Sequence, residues 1–147
     1  MYILNRLEEA WRMQGISSSG GVTRAAIEEF EARNRLVLPE LFREYLRTLN
    51  GMVAGKVDHY LIAFLPLNVV DTPKCMLAAN GNVDIIIAEF SLWSHFYALQ
   101  LECRQHENGV IASDGENIKR LSSSFSDFLE GYLASPADVA NCLLRTH

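Results

Sequence analysis

The sequence predicts an α+β fold: helices first, then an antiparallel sheet, then helices that return to pack on it. Three observations carry the prediction. Apolar residues recur at spacings of three and four up to Asn50-Gly51; strand-like runs joined by turn signals replace that period as far as about Leu121; and a helix-capping sequence follows at Ser124.

The first helix is expected over residues 5–14, with Leu7, Ala10 and Trp11 on one face. Gly15-Ile16-Ser17-Ser18-Ser19-Gly20-Gly21 has the composition of a flexible linker, so residues 1–21 are expected to form a separable arm ahead of a single domain over residues 22–147, the alternative being that the arm packs on the core through Trp11. Thr23 is placed to cap the next helix, and Val22 and Ile27 have the spacing of a hydrophobic staple. Leu36-Val37-Leu38 breaks the period and Pro39 restarts it, because a proline's missing N–H and fixed φ suit a first helical turn. Leu38, Phe42, Tyr45, Leu46 and Leu49 then form one apolar stripe, which Asn50-Gly51 ends with two residues that tolerate left-handed backbone.

Strands are expected at 60–64, 83–90, 95–102, 109–113 and 117–121, bounded by Pro66, Pro73, Asn80-Gly81, Asn108-Gly109 and Asp114-Gly115. Ile85-Ile86-Ile87 is apolar on both strand faces, which makes that strand central. Tyr97, Leu99 and Leu101 alternate with Phe96, Ala98 and Gln100, so one side of the sheet is expected to be more exposed. Ser124-Phe125-Ser126-Asp127 reads as a capping box, and Phe125, Phe128, Leu129, Tyr132 and Leu133 supply the apolar face of the helix it opens. Ser135-Pro136-Ala137-Asp138 repeats the device for a last short helix through Val139, Cys142 and Leu143. Leu46 and Phe128, each central in its stripe, are expected in one core.

The chain has 147 residues, 49% apolar and 21% charged, a composition that suits one globular domain needing neither metal nor disulfide to fold. Seven acids and seven arginines cancel before Thr48, so eleven acids against six bases in residues 48–147 account for the whole net charge of −5. That excess argues against direct nucleic-acid binding and points to a basic partner met by the later part of the fold, unless it serves only solubility. The three widely spaced cysteines, Cys75, Cys103 and Cys142, read as reduced, partly buried thiols of an intracellular protein. Acids at Glu8 and Glu9 are not expected in a signal peptide, and Pro66, Asn68, Asp84, Glu89 and His95 interrupt the apolar tracts before they reach membrane-spanning length.

Four segments together resemble the SUKH superfamily of Smi/Knr-type domains: Leu38-Pro39-Glu40 with the helix ending in Asn50-Gly51; Phe64-Leu65-Pro66-Leu67; the run from Ile87-Ala88-Glu89-Phe90 through Ser91-Leu92-Trp93-Ser94 to His95-Phe96-Tyr97-Ala98; and Ser124-Phe125-Ser126-Asp127-Phe128-Leu129. The resemblance runs from about Ile27 to Leu133. It implies a SUKH-like α+β fold, a central antiparallel sheet packed by N-terminal and C-terminal helices. By the same resemblance, bacterial members look like cytoplasmic immunity proteins that bind a toxin domain, often a nuclease, and eukaryotic members resemble signalling scaffolds. Neither branch implies an enzyme. The chain departs from the pattern twice: Asn34-Arg35-Leu36-Val37 stands where many members have a glycine, and Ser91-Leu92-Trp93-Ser94 where many have a Gly/Asp-rich turn.

His59, His95, His106 and His147 are the candidates for acid–base or metal work. Cys103 and His106 make a C-x-x-H pair with no second pair nearby, so no metal site is expected. Ser122-Ser123-Ser124 and Ser126 lack a nucleophile elbow and Gly20-Gly21 lacks a phosphate-loop pattern, and no cofactor is expected. Glu89 and His95 flank the 91–94 connection, which leaves two readings: a structural hydrogen bond or half-buried charge, or the acid–base pair of a small hydrolase. Trp93, among Phe90, His95 and Tyr97, is either an interface anchor or a core aromatic at a strand end. The reading that follows is a cytoplasmic, non-enzymatic, protein-binding module. Its partner surface would include Glu89, Trp93, His95, Asp114 and Glu116, facing the basic groove of a toxin domain. A scaffold for an endogenous partner is the first alternative, and a small hydrolase using Glu89 and His95 the second.

Overall fold

The computed structural model describes residues 2–143, so the candidate His147 lies outside the described residues. In chain order the elements are α1 (Ile3–Arg12), α2 (Arg24–Asn34), α3 (Glu40–Thr48), β1 (Ile62–Phe64), α4 (Leu67–Val70), β2 (Met76–Ala79), β3 (Asn82–Phe90), β4 (His95–Glu102), β5 (His106–Ser113), β6 (Ile118–Ser122), α5 (Phe125–Ala134) and α6 (Pro136–Ala140). The sheet is antiparallel in the order β1-β3-β4-β5-β6, with β2 also on β3. β1 and β2 share one edge of β3: β1 pairs with Ala88 to Phe90, β2 with Asn82 to Ile85. β3 is therefore central, as the unbroken isoleucine run predicts.

Several caps are as read from the sequence. Thr23 accepts from the Ala26 N–H at 3.1 Å and Ser124 from the Asp127 N–H at 3.0 Å. Asn50 and Gly51 both adopt left-handed backbone, and Asn50 Oδ1 accepts from the Leu67 N–H at 2.8 Å. Pro39 is the N-cap of α3 rather than its first residue. The return half of the capping box is absent, because Asp127 accepts from the Ser123 hydroxyl instead of the Ser124 amide. Ser135 makes no side-chain cap, and α6 begins on Pro136 alone.

Asn108-Gly109 is not a turn. Both residues lie inside β5, where Gly109 (φ 95°) passes so close to β6 that a Cβ would stand 2.0 Å from the Ser122 carbonyl oxygen. The register shifts there, between Val110 and Ile111, so the glycine serves close backbone approach at an irregularity. The true turn precedes it, with Cys103 and Arg104 left-handed. Arg104 is clasped to the α2–α3 corner: its guanidinium donates to the Asn34 and Arg35 carbonyls at 2.7 and 3.1 Å, and its carbonyl accepts from Val37 N–H at 2.9 Å. Arg35, at the first departure from the family pattern, takes the left-handed C-cap of α2 without being glycine.

α1 packs on the core through the face that carries Trp11. Leu4, Leu7 and Trp11 are buried in the main core, and the Trp11 ring lies 5.2 Å from that of Phe64. The Gly/Ser run is equally attached. Ser19, Gly20 and Val22 donate backbone hydrogen bonds to Gly51, Leu49 and Leu46, and a Cβ on Gly21 would stand 1.7 Å from the Arg47 carbonyl oxygen. These glycines permit contact with α3, which composition alone cannot distinguish from flexibility.

The helices cover one face of the sheet only. Ile85, Ile87, Ala88, Tyr97, Leu99, Leu101, Val110 and Ala112 point into a core with Leu46, Phe125 and Phe128. The opposite face has a small cluster of its own, Cys75, Ile86, Ala98 and Ile111, flanked by the partly buried Leu65, Val69, Trp93 and Phe96. Among the described residues no helix packs against this second cluster apart from the single turn of α4, through Val69.

Candidate functional site

Residues directly opposite one another on neighbouring antiparallel strands share a sheet face. The register pairs Phe90 with His95 and Glu89 with Phe96, so Glu89 and His95 point to opposite sides. The acid–base pair of the small-hydrolase alternative does not form across the 91–94 connection.

His95 faces the helices and is 3% exposed. Its ring stacks on Phe90 with centroids 4.5 Å apart, and its Nε2 lies 2.9 Å from the Tyr97 hydroxyl. That hydroxyl donates its proton to the Val139 carbonyl at 2.9 Å. Tyr97 therefore accepts from His95, which requires a proton on Nε2. Burial lowers the histidine's pKa and so favours the neutral ring, with the Asp114 charge acting in the opposite direction. Buried in this way, His95 has a packing role and cannot meet a partner.

Glu89 points to the uncovered face, opposite Ala63 on β1 and Phe96 on β4. It is 6% exposed, and its Oε1 has no hydrogen-bond partner. Burial raises the carboxyl pKa, while the Trp93 and Leu92 amides and the Lys74 charge draw it back down. Trp11 Nε1 and Tyr45 Oη are unpaired too, but they are neutral groups of the main core, facing Tyr132 and the Gly51 backbone. Among the described residues, Glu89 is the carboxylate buried with an unpaired oxygen.

The turn beside it is unusual backbone. Ser91, Leu92 and Trp93 are all left-handed, at φ of 48°, 57° and 67°, and none is glycine. Each such residue costs on the order of 1–2 kcal/mol, offset here by the Ser94 N–H and hydroxyl, which return to the Phe90 and Ser91 carbonyls. The turn thrusts Leu92 out, 90% exposed, and lays Trp93 half-buried against the second apolar cluster. Lys74, from the segment between α4 and β2, sits over the indole with Nζ 3.8 Å from the ring centroid.

The β5–β6 turn reaches the same end of the sheet, since Ser113 pairs with Phe96 on one side and Ile118 on the other. Asp114 and Glu116 are both exposed there. Asp114 is committed to its own turn: Oδ1 accepts from the Glu116 and Asn117 amides at 2.9 and 2.7 Å, which pulls its pKa down to about 2. Ile118, 69% exposed, follows on this face. Of the residues picked from sequence, the fold thus gathers Glu89, Trp93, Asp114 and Glu116 at one end of the uncovered face and sends His95 to the other side. Sequence reasoning missed Lys74, Leu92 and Ile118 there. The non-glycine turn Ser91-Leu92-Trp93-Ser94 was the signal that could have flagged Leu92.

A family model, the SMI1 / KNR4 family (SUKH-1), matches residues 21–131. The chain belongs to this family. No match exists among curated proteins. The SUKH-1 match runs from the end of the Gly/Ser segment into α5, so it contains the whole sheet and both turns of the gathered end, while α1 precedes it. SUKH-1 membership fits a binding or immunity role. Among the described residues no three His, Cys, Asp or Glu side chains converge as a metal site, and no helix is long and apolar enough to cross a membrane.

Proposed function

We propose that this SUKH-1 protein is a cytoplasmic, non-enzymatic immunity protein that docks the β3–β4 and β5–β6 turn end of its sheet onto a cognate toxin domain. The carrying observation is the strained turn that holds Leu92 in solvent beside Trp93 on the face the helices leave bare. Apolar and aromatic side chains displayed on rigid backbone are what interfaces use as anchors, because little conformational entropy is lost on binding. Glu116 and the acidic excess of residues 48–147 steer a basic groove toward that end, and occupation of the groove blocks it sterically.

The test is co-expression with a toxin domain encoded beside this gene, followed by binding kinetics across a salt series. The expected result is protection by the parent, slower association as salt rises, and faster dissociation for Trp93→Ala and Leu92→Ala. Full protection by a Leu92→Ala, Trp93→Ala double variant removes the proposed surface. Recovery of an endogenous partner in place of a toxin favours the scaffold alternative.

A further inference from the structure

We infer that Glu89, Trp93 and Lys74 form a side-chain cation site whose ligand is an arginine guanidinium presented by a protein partner, with Lys74 as the internal cation that the arginine displaces from the indole. The inference rests on the binding role proposed above and names the chemistry of one contact within it.

Two independent observations converge on the site. The face of the Trp93 ring is already used for a cation, since Lys74 Nζ stands 3.8 Å from its centroid. Beside it, Glu89 Oε1 is an acceptor buried without a donor, on a carboxylate that faces the Leu92 and Trp93 amides of the same turn. Lys74 satisfies only half of this arrangement: it stacks on the indole and leaves the oxygen empty. From its own place in the chain the Lys74 ammonium makes the ring contact alone. A guanidinium is planar, stacks on an aromatic face, and carries a fork of five N–H donors, one of which can reach Oε1 while the plane stays on the ring. Lys74 is itself exposed, on the segment that leads into β2, so it can leave without disturbing either core. A metal ion does not fit, because among the described residues no group of three His, Cys, Asp or Glu side chains converges around Glu89. The three left-handed residues fix the indole relative to the carboxylate, which preorganises the pair before a ligand arrives.

The test follows the Trp93 indole N–H by NMR, assigned with Trp93→Phe, during titration with N-acetylarginine amide. N-acetyllysine amide and N-acetylcitrulline amide serve as controls. The arginine probe is expected to shift the Trp93 resonance saturably and the neutral citrulline probe to leave it unmoved. Lys74→Ala, which frees the ring, is expected to bind about two- to fivefold more tightly than the parent. Glu89→Gln, which removes the charged acceptor, is expected to bind about tenfold or more weakly. Equal affinity of parent and Lys74→Ala, retained affinity in Glu89→Gln, or a lysine response equal to that of arginine each overturns the inference. Partner binding that persists when the arginine probe fails overturns only this contact. A saturable probe response without any partner binding overturns the proposed function and leaves the site standing.

Discussion

The two faces of the sheet treat buried charge differently. On the helix-covered side, Asp58 accepts from the Tyr60 and Ile62 amides and from the Tyr132 hydroxyl, and His95 ends in the Tyr97–Val139 relay. Glu31, at the α2–α3 corner, likewise accepts from the Leu38 amide at 2.8 Å and from two nitrogens of Arg43. On the uncovered side, Glu89 is as thoroughly buried as these groups and keeps an oxygen empty, beside a turn that carries three left-handed side chains. A protein selected for stability alone would have filled that oxygen and placed glycine in that turn. The difference marks the covered face as the one that holds the fold together and the other as the one that has been left ready for something else.

The comparison is tested most severely at the covered face. Phe128→Ala and Trp11→Ala each empty a fully packed aromatic site and are expected to cost about 3–5 kcal/mol, read as a fall in the denaturant midpoint. Phe96→Ala, on the half-buried opposite face, is expected to cost clearly less, about 1–2 kcal/mol. Equal losses for Phe96 and Phe128 would erase the distinction between the faces. Deletion of residues 1–20 removes Leu4, Leu7 and Trp11 together and is expected to abolish cooperative unfolding; a remainder with an unchanged midpoint restores the arm as an independent unit.

A smaller effect sharpens the contrast through pH. Burial raises the Glu89 pKa above its ordinary 4.5, so the folded state holds this proton more tightly than the unfolded chain does. The carboxylate therefore costs nothing below pH 4.5, and its penalty grows as pH rises through the folded value. Glu89→Gln is expected to be more stable than the parent at pH 7, by on the order of 1 kcal/mol, with the gap closing toward pH 4. His95 has the opposite sign. Its pKa is lowered below 6.5, so its contribution is complete above that pH and is lost as pH falls through the folded value. A Glu89→Gln variant less stable than the parent at neutral pH would mean that the carboxylate supports the fold after all.

The smallest expected change is at Leu92. Replacing this exposed left-handed residue with glycine relieves strain and adds unfolded-state entropy, so stability is expected to shift by less than about 1 kcal/mol, while partner affinity falls. A large loss of stability in Leu92→Gly would show that the side chain packs rather than projects.

Much of the architecture was legible because helices announce their ends locally. Thr23, Asn50-Gly51 and Ser124 each act within a few residues of themselves, and the isoleucine run needs no partner to declare a central strand. β2 was invisible for the converse reason: Met76-Leu77-Ala78-Ala79 has neither alternation nor β-branching, and only its register against β3 makes it a strand. The site was half legible. Trp93 and Glu89 stand out by residue type, but which face each takes depends on how many residues the turn consumes and on the irregularity between Ile86 and Ala88. One residue's difference would have put Glu89 and His95 on the same side. Lys74 arrives from another strand connection, and nothing in its neighbourhood points toward an indole.

The Arg104 clasp carries a consequence for the order of assembly. The Leu-Pro corner between α2 and α3 is the most local signal in the chain, yet its open carbonyls at Asn34 and Arg35 are satisfied by a side chain from the β4–β5 hairpin. Closing so long a loop is an entropic cost met only when the sheet is present to repay it. The two helices can therefore form early, but the corner that joins them stays loose until the hairpin arrives, so that the first part of the fold to be specified is among the last to be locked.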